Sequence, residues 1–339
     1  MRQAIVFVIV LSCVGQATAA ELEAPSPVQN SGRITIIEEN DALTPWPQDR
    51  HYTQGFRGSY LSAPLQAPDG TSFAFPNFFA NGADQVRRYE LIVGQSLFTP
   101  KNLALTGPNP TDRPYAGWLY VGAGLLQETD RRSLESLEFL AGVVGPSALG
   151  RQTQSAFHSV LGQHEPQGWR NQLDDEPGLL LSYERKWRFE RALTSTLAID
   201  AIPEISGSVG NVLTYGEIGV LFRIGHGLQA DYGPARIRPA LSGTAWFDPR
   251  YLQDPFGWYL FAGAQLRAVA RNIFLDGNTF TDSPSVEKRV LVADLSAGLS
   301  LFWSDRIKLD FVMTQRTQEF VGQNGVDRYG GIALSFGLP

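Results

Sequence analysis

Four histidines are spread over 339 residues, few enough for each to be weighed by its neighbours. His158 follows Gln154 by one helical turn in "GPSALGRQTQSAFHSVLG" (145–162), so on a helix the two side chains share a face. A neutral imidazole accepts a proton near neutral pH, which makes His158 the candidate general base. A blander reading competes with it. Leu149, Thr153, Ala156, Phe157, Val160 and Leu161 form a stripe at helical spacing, and a polar pair opposite such a stripe is ordinarily the solvated side of an amphipathic helix. Oxygen donors lie upstream in "ENDALTPWPQDRHYTQG" (39–55), with Asn40 and Asp41 at one end and Asp49 and Thr53 toward the other. Hard oxygens of this kind suit calcium. The chain has no GxSxG elbow, no HExxH and no Cys/His ligand cluster, so a serine hydrolase or a zinc enzyme has no support. What remains is a histidine base with carboxylates able to hold a hard cation. His226 in "RIGHG" reads as a solvated turn residue, and His51 as solvent-facing.

These groups need a scaffold that brings residues 40, 53 and 158 together. Met1-Arg2, the apolar run 4–14 and the small residues 17–20 read as a signal peptide over 1–20, too short to span a bilayer as a helix. Its cleavage would remove the single cysteine, leaving no disulfides. Residues 21–31 read as a flexible lead-in, and 32–339 as one domain. The net charge of −6 without a basic block excludes nucleic acid as a partner. From Arg33 onward, segments near ten residues alternate in polarity between polar turns, from "RITIIEEN" (33–40) to "YGGIALSFGL" (329–338). Twelve such segments fit an all-β, twelve-stranded antiparallel transmembrane β-barrel. "IRPALSGTAWF" (237–247) would be a thirteenth, but its prolines and weak alternation make it a loop or half-strand. Tyr120, Trp187, Trp258, Tyr259, Trp303 and Tyr329 near segment ends are the expected interfacial girdles. The 145–162 stretch predicts a short helical insertion, about 146–165, between strands 5 and 6, with Pro146 starting it and Gly162 stopping it.

"END…DRHYTQG" (39–55), "TDRPYAGWLY" (111–120) and "VGPSALGRQTQSAFHSVLG…GWRNQL" (144–173) resemble, in order and spacing, the signature blocks of the LpxR-type lipid A deacylases. The resemblance implies a twelve-stranded outer-membrane barrel. It also implies calcium-dependent hydrolysis of a lipid A ester, releasing the 3′-linked acyloxyacyl group. Carried over by motif, the site residues are Asn40, Asp41, Thr53, Gln154 and His158. His158 would be the base, Asp41 would hold Ca2+, and Asn40, Thr53 and Gln154 would support the oxyanion, water or metal. The family pattern has a glutamate six residues after the histidine; here that position is His164, and the adjacent Glu165 is the candidate second metal ligand. Implied partners are lipid A of lipopolysaccharide and outer-membrane lipids, with the chain a monomer. Arg113 is expected to pair with Asp49 or Asp112, or else with a lipid A phosphate, which Lys101 could also meet. A degenerate structural or transport barrel, and an outer-membrane phospholipase, are the alternatives.

Overall fold

A computed structural model of the chain describes residues 31–45, 50–65, 84–237, 245–252, 254–304 and 306–338. The expected leader (1–20), residues 21–30 of the lead-in and Asp49 lie outside the described residues.

The strands are β1 (Arg33–Asn40), β2 (His51–Leu61), β3 (Gln85–Thr99), β4 (Ala116–Thr129), β5 (Ser133–Val144), β6 (Glu176–Trp187), β7 (Phe189–Ala192), β8 (Ala198–Gly210), β9 (Leu213–His226), β10 (Phe256–Asn272), β11 (Leu291–Trp303), β12 (Ile307–Arg316) and β13 (Asp327–Gly337). Each pairs antiparallel with its neighbours, and β1 meets β13 while β6 meets β8. The sheet is therefore a closed barrel, with only the short β7 paired on one side among the described residues. β6 and β7 share one register against β8, Lys186 opposite Glu204 and Phe189 opposite Ala201. They form a single stave interrupted where Arg188 turns inward over the Tyr232 ring, 3.8 Å away. Twelve staves result, and all twelve expected segments fall on them.

Closure leaves one face of every stave outside and one inside. β6 shows it residue by residue: Leu179 and Leu181 are exposed, whereas Ser182, Glu184 and Lys186 are buried. Ile36, Val93, Val121, Phe139, Ile218, Phe222 and Leu295 are likewise exposed on other staves. Such a surface costs roughly 25 cal/mol per Å² in water and nothing in lipid, so the outer face is a membrane face.

The interior is polar and packed. Arg223 pairs with Asp200 and Asp231, Lys308 with Asp231 (2.5 Å), Arg57 with Glu138 (2.8 Å), and Arg267 with Glu217 (2.8 Å). The connection between β9 and β10 folds into this lumen. Its Tyr232 hydroxyl donates to Glu128 (3.0 Å), Arg236 Nε donates to Glu39 (2.6 Å), and Trp246 lies under Arg88 (4.9 Å). The described parts of 237–247 carry no strand, in keeping with a loop.

Parity corrects the girdle assignment. Tyr120, Tyr259 and Tyr329 point into the lumen and are buried, with Tyr259 donating to Asp231 and Tyr329 accepting from Arg316. Trp187 and Trp258 are half-buried, and Trp303 with Phe256 forms an exposed aromatic pair at one end. At that end the connections 130–132 and 193–197 are tight turns, although β2 and β3, and β9 and β10, are separated by 62–84 and 227–255. The opposite end carries 41–50, 100–115, 145–175, 273–290 and 317–326, together with the short turn 211–212.

Candidate functional site

The insertion between β5 and β6 is built by its terminators. Pro146–Ala148 forms a 3-10 turn, and α1 runs Gly150–Leu161, about the three turns expected. Gly162, at φ 66, ends it in the left-handed conformation, so residues 163–166 leave the helix axis. α1 lies against β3 and β4. Gly150 permits that approach, since a Cβ there would come within 2.6 Å of the buried Trp169 ring. Gln95 Nε2 donates to the Ala148 carbonyl (2.6 Å) and ties the turn to the wall.

The helix faces opposite to the amphipathic reading. Gln154 and His158 are buried, while Leu149 is 48% and Val160 65% exposed. The polar pair turns toward the wall, while Leu149, Ala156 and Val160 share the outer side of the helix with exposed Arg151, Gln152 and Ser159.

His158 Nδ1 lies 2.6 Å from the carbonyl oxygen of His164. A carbonyl only accepts, so Nδ1 carries the proton, and in the neutral ring Nε2 keeps the lone pair. The main chain of His164 thus supplies the acceptor at the position where the family pattern has a glutamate, while its side chain is exposed. Gln154 Oε1 accepts from Trp169 Nε1 (2.7 Å). That bond fixes the amide orientation and leaves the buried Nε2 as a donor with no hydrogen-bond partner. Trp169 was invisible as a site residue because its role is to hold Gln154, and only its place in the "GWRNQL" block marked it.

The other half of the site lies where β1 and β2 end. The Asp41 N–H donates to the Thr53 carbonyl (3.5 Å), bringing the two residues side by side. Asp41 Oδ2 accepts from the Arg50 N–H (2.6 Å), and Asn40 Oδ1 from the Ala42 N–H (2.7 Å). The Thr53 hydroxyl meets that of Thr99, the last residue of β3, at 2.6 Å. Both halves therefore border the same end of β3, which carries Thr99 for one and Leu97, beside Gly150, for the other.

Glu165 stands apart. Its carboxylate is exposed and meets Arg151 (3.6 Å) and the Ser155 hydroxyl (3.4 Å) on the outer side of α1. The αL turn at Gly162 is the cause, because the helix does not continue far enough to return Glu165 to the His158 face. Among the described residues no three His, Cys, Asp or Glu side chains gather as a metal cluster. The Asn40, Asp41 and Thr53 donors are all oxygens, the kind calcium takes, but they include one carboxylate. They fit only a cation that completes its shell from main-chain or substrate oxygens.

Two expectations change at the rim. Arg113 is buried and pairs with Glu319 (3.2 Å) over the Phe98 ring (4.8 Å), a structural role with a partner the sequence did not suggest. His51 is not solvent-facing but 2% exposed, between Asp327 and Asp112. Burial by itself would raise the Asp112 carboxyl, yet His51 and the N–H groups of Lys101 and Arg113 hold it below the usual range. Glu319, also penalised by burial, is held low by Arg316 and Arg113. Lys101 is exposed. At the opposite end, His226 Nδ1 bonds the Thr196 carbonyl (2.7 Å) and its Nε2 meets Asp254 (3.0 Å).

A closed barrel with a lipid-facing exterior, a packed polar lumen and a polar cluster between wall and inserted helix defines an outer-membrane β-barrel protein with a rim site. The family model described as "Outer membrane protein LpxR" matches residues 4–338, and the chain belongs to that family. It is accordingly a multi-pass protein of the bacterial outer membrane. Among solved structures, LpxR from Salmonella typhimurium is similar with a TM-score of 0.72 at 18% identity, covering 90% of this chain and 100% of that one, a likeness of fold. The β domain of the Bordetella autotransporter BrkA aligns at a TM-score of 0.41 and 10% identity, over 91% of this chain and 98% of that one. No curated protein matches by sequence.

Proposed function

We propose that the protein is a lipid A 3′-O-deacylase that hydrolyses the ester carrying the 3′-acyloxyacyl group, with His158 as the general base. The observation that carries this reading is the 2.6 Å contact from His158 Nδ1 to the His164 carbonyl, which presents Nε2 as the proton acceptor. Water would be deprotonated by Nε2 as it attacks the ester carbonyl. The imidazolium then returns the proton to the departing sugar oxygen, releasing acid and a free hydroxyl without an acyl-enzyme. Gln154 Nε2 is a preset donor for the developing oxyanion or for the attacking water, and Asn40 and Thr53, bordering the same end of β3, would add oxygen ligands or hydrogen bonds from the neighbouring turn. Calcium belongs to the proposal as an ion held by Asp41, where it would polarise the ester carbonyl. The apolar stripe of α1 and the outward faces of the neighbouring staves provide a surface for acyl chains.

The filled lumen argues against the transport alternative. The test is purified protein acting on lipid A in mixed micelles, with calcium and with a chelator, and on glycerophospholipid in parallel. Release of the 3′-acyloxyacyl acid supports the reading, and its loss with chelator supports the ion. Release from glycerophospholipid alone would favour a phospholipase instead.

A further inference from the structure

β2 begins under backbone constraint. His51 has φ 66, a left-handed conformation uncommon for a residue with a side chain. Two residues on, the pairing with β3 slips: His51 faces Thr99 and Tyr52 faces Phe98, but Gln54 faces Leu97, so Thr53 is the extra residue of a β-bulge. A bulge re-aims the side chain it carries.

His51 is held on every side. Its Nδ1 is 2.8 Å from the Asp327 carboxylate, its Nε2 3.5 Å from Asp112, and its ring meets Phe320 edge-on at 5.3 Å. Asp327 also takes Arg50 Nε at 3.3 Å, while Arg50 Nη2 donates to the Val326 carbonyl (3.0 Å). The backbone N–H of that same Arg50 donates to Asp41. Asp112 is fixed in turn by the N–H groups of Lys101 (2.9 Å) and Arg113 (2.8 Å). A short side chain with a nitrogen at each end of a flat ring can address two carboxylates from such a confined seat.

We propose that His51 is a positioning residue: by bridging Asp112 and Asp327 it joins the β1–β2, β3–β4 and β12–β13 connections, and so sets the bulge that aims Thr53 and the turn that holds Asp41. The inference rests on the deacylase reading and adds to it a residue that acts through the site rather than on the ester. Glycine adopts φ 66 freely, so His51→Gly keeps the backbone conformation and removes the bridge together with the edge-on ring contact to Phe320. It should still fold, shown by heat-modifiable migration on gels. It should lose roughly 10- to 100-fold in kcat with KM within about twofold, the size of effect expected from misplaced groups. Amides of residues 50–55 should exchange faster than in the wild type. His51→Asn tolerates the left-handed region and can donate to Asp327 but not also to Asp112, so it should recover part of the rate. A His51→Gly protein with wild-type kcat and wild-type exchange would overturn the proposal. A wild-type protein without deacylase activity would remove the deacylase reading instead, and the exchange comparison would still decide whether His51 holds the turn.

Discussion

His158 and Gln154 owe their usefulness to what lies behind them. The His164 carbonyl fixes the tautomer of one, and the Trp169 indole fixes the amide of the other. Trp169→Phe keeps one aromatic ring but deletes the pyrrole half of the indole with its N–H, so it should cost about 1 kcal/mol in transition-state stabilisation, or roughly a five- to tenfold fall in kcat, besides some packing stability, without loss of the folded barrel. A fall no larger than for a remote surface change would deny Gln154 its role. His164→Ala leaves the main-chain carbonyl in place and should therefore change the rate little, whereas a side-chain role for residue 164 would show as a large loss. The sequence marked Asn40, Asp41, Thr53, Gln154 and His158 through their motifs. It did not reveal Trp169, Thr99 or the His164 carbonyl, since a supporting group is defined by a contact across the fold and not by its residue type. His51 was misread for a related reason: a histidine in a polar stretch looks solvated until Asp112 and Asp327, the latter 276 residues away, close over it.

At the scale of elements, α1 shows why pattern reading succeeds in one respect and fails in another. Pro146, Gly162 and the 3.6-residue stripe give its existence and ends, because capping is local chemistry. Its orientation is inverted because partners elsewhere in the chain decide it: the Trp169 indole takes Gln154 and the His164 carbonyl takes His158, which draws the polar pair inward. Gly150→Ala would press a methyl against the Trp169 ring, so α1 must shift; a loss of about 1–3 kcal/mol and a drop in activity of tenfold or more are expected from thermal unfolding and deacylation rates. The rim loops carry their own pH dependence. Asp112 has a depressed folded pKa, so its contribution is present above the unfolded value near 3.8 and is lost as pH falls through the folded one. Thermal stability should therefore decline as pH falls through and below the unfolded value, and Asp112→Asn should flatten part of that decline. An unchanged slope would show that Asp112 is not held by His51 and the rim amides.

For the whole molecule, twelve staves were legible because each repeats the same two-residue alternation, and their even number lets β1 and β13 close the barrel antiparallel. The direction of each aromatic was less so: Tyr120, Tyr259 and Tyr329 sit at segment ends as belt residues do, but their parity sends them inward to Arg316, Asp231 and their neighbours. The packed lumen makes a functional prediction. With Arg223, Asp231, Lys308 and Arg236 engaged across it and the β9–β10 connection folded within, planar-bilayer recordings should show no stable conductance steps, whereas regular ohmic openings would restore a transport reading. The central claim, that His158 drives removal of the 3′-acyloxyacyl group, is tested most directly by mass spectrometry of lipid A from a Gram-negative host expressing either the wild-type chain or His158→Ala, both confirmed as folded in the outer membrane. Wild type should yield lipid A lacking the 3′-acyloxyacyl mass, and His158→Ala should leave it intact. Unaltered lipid A with the wild-type protein, or equal deacylation with both, would contradict the account.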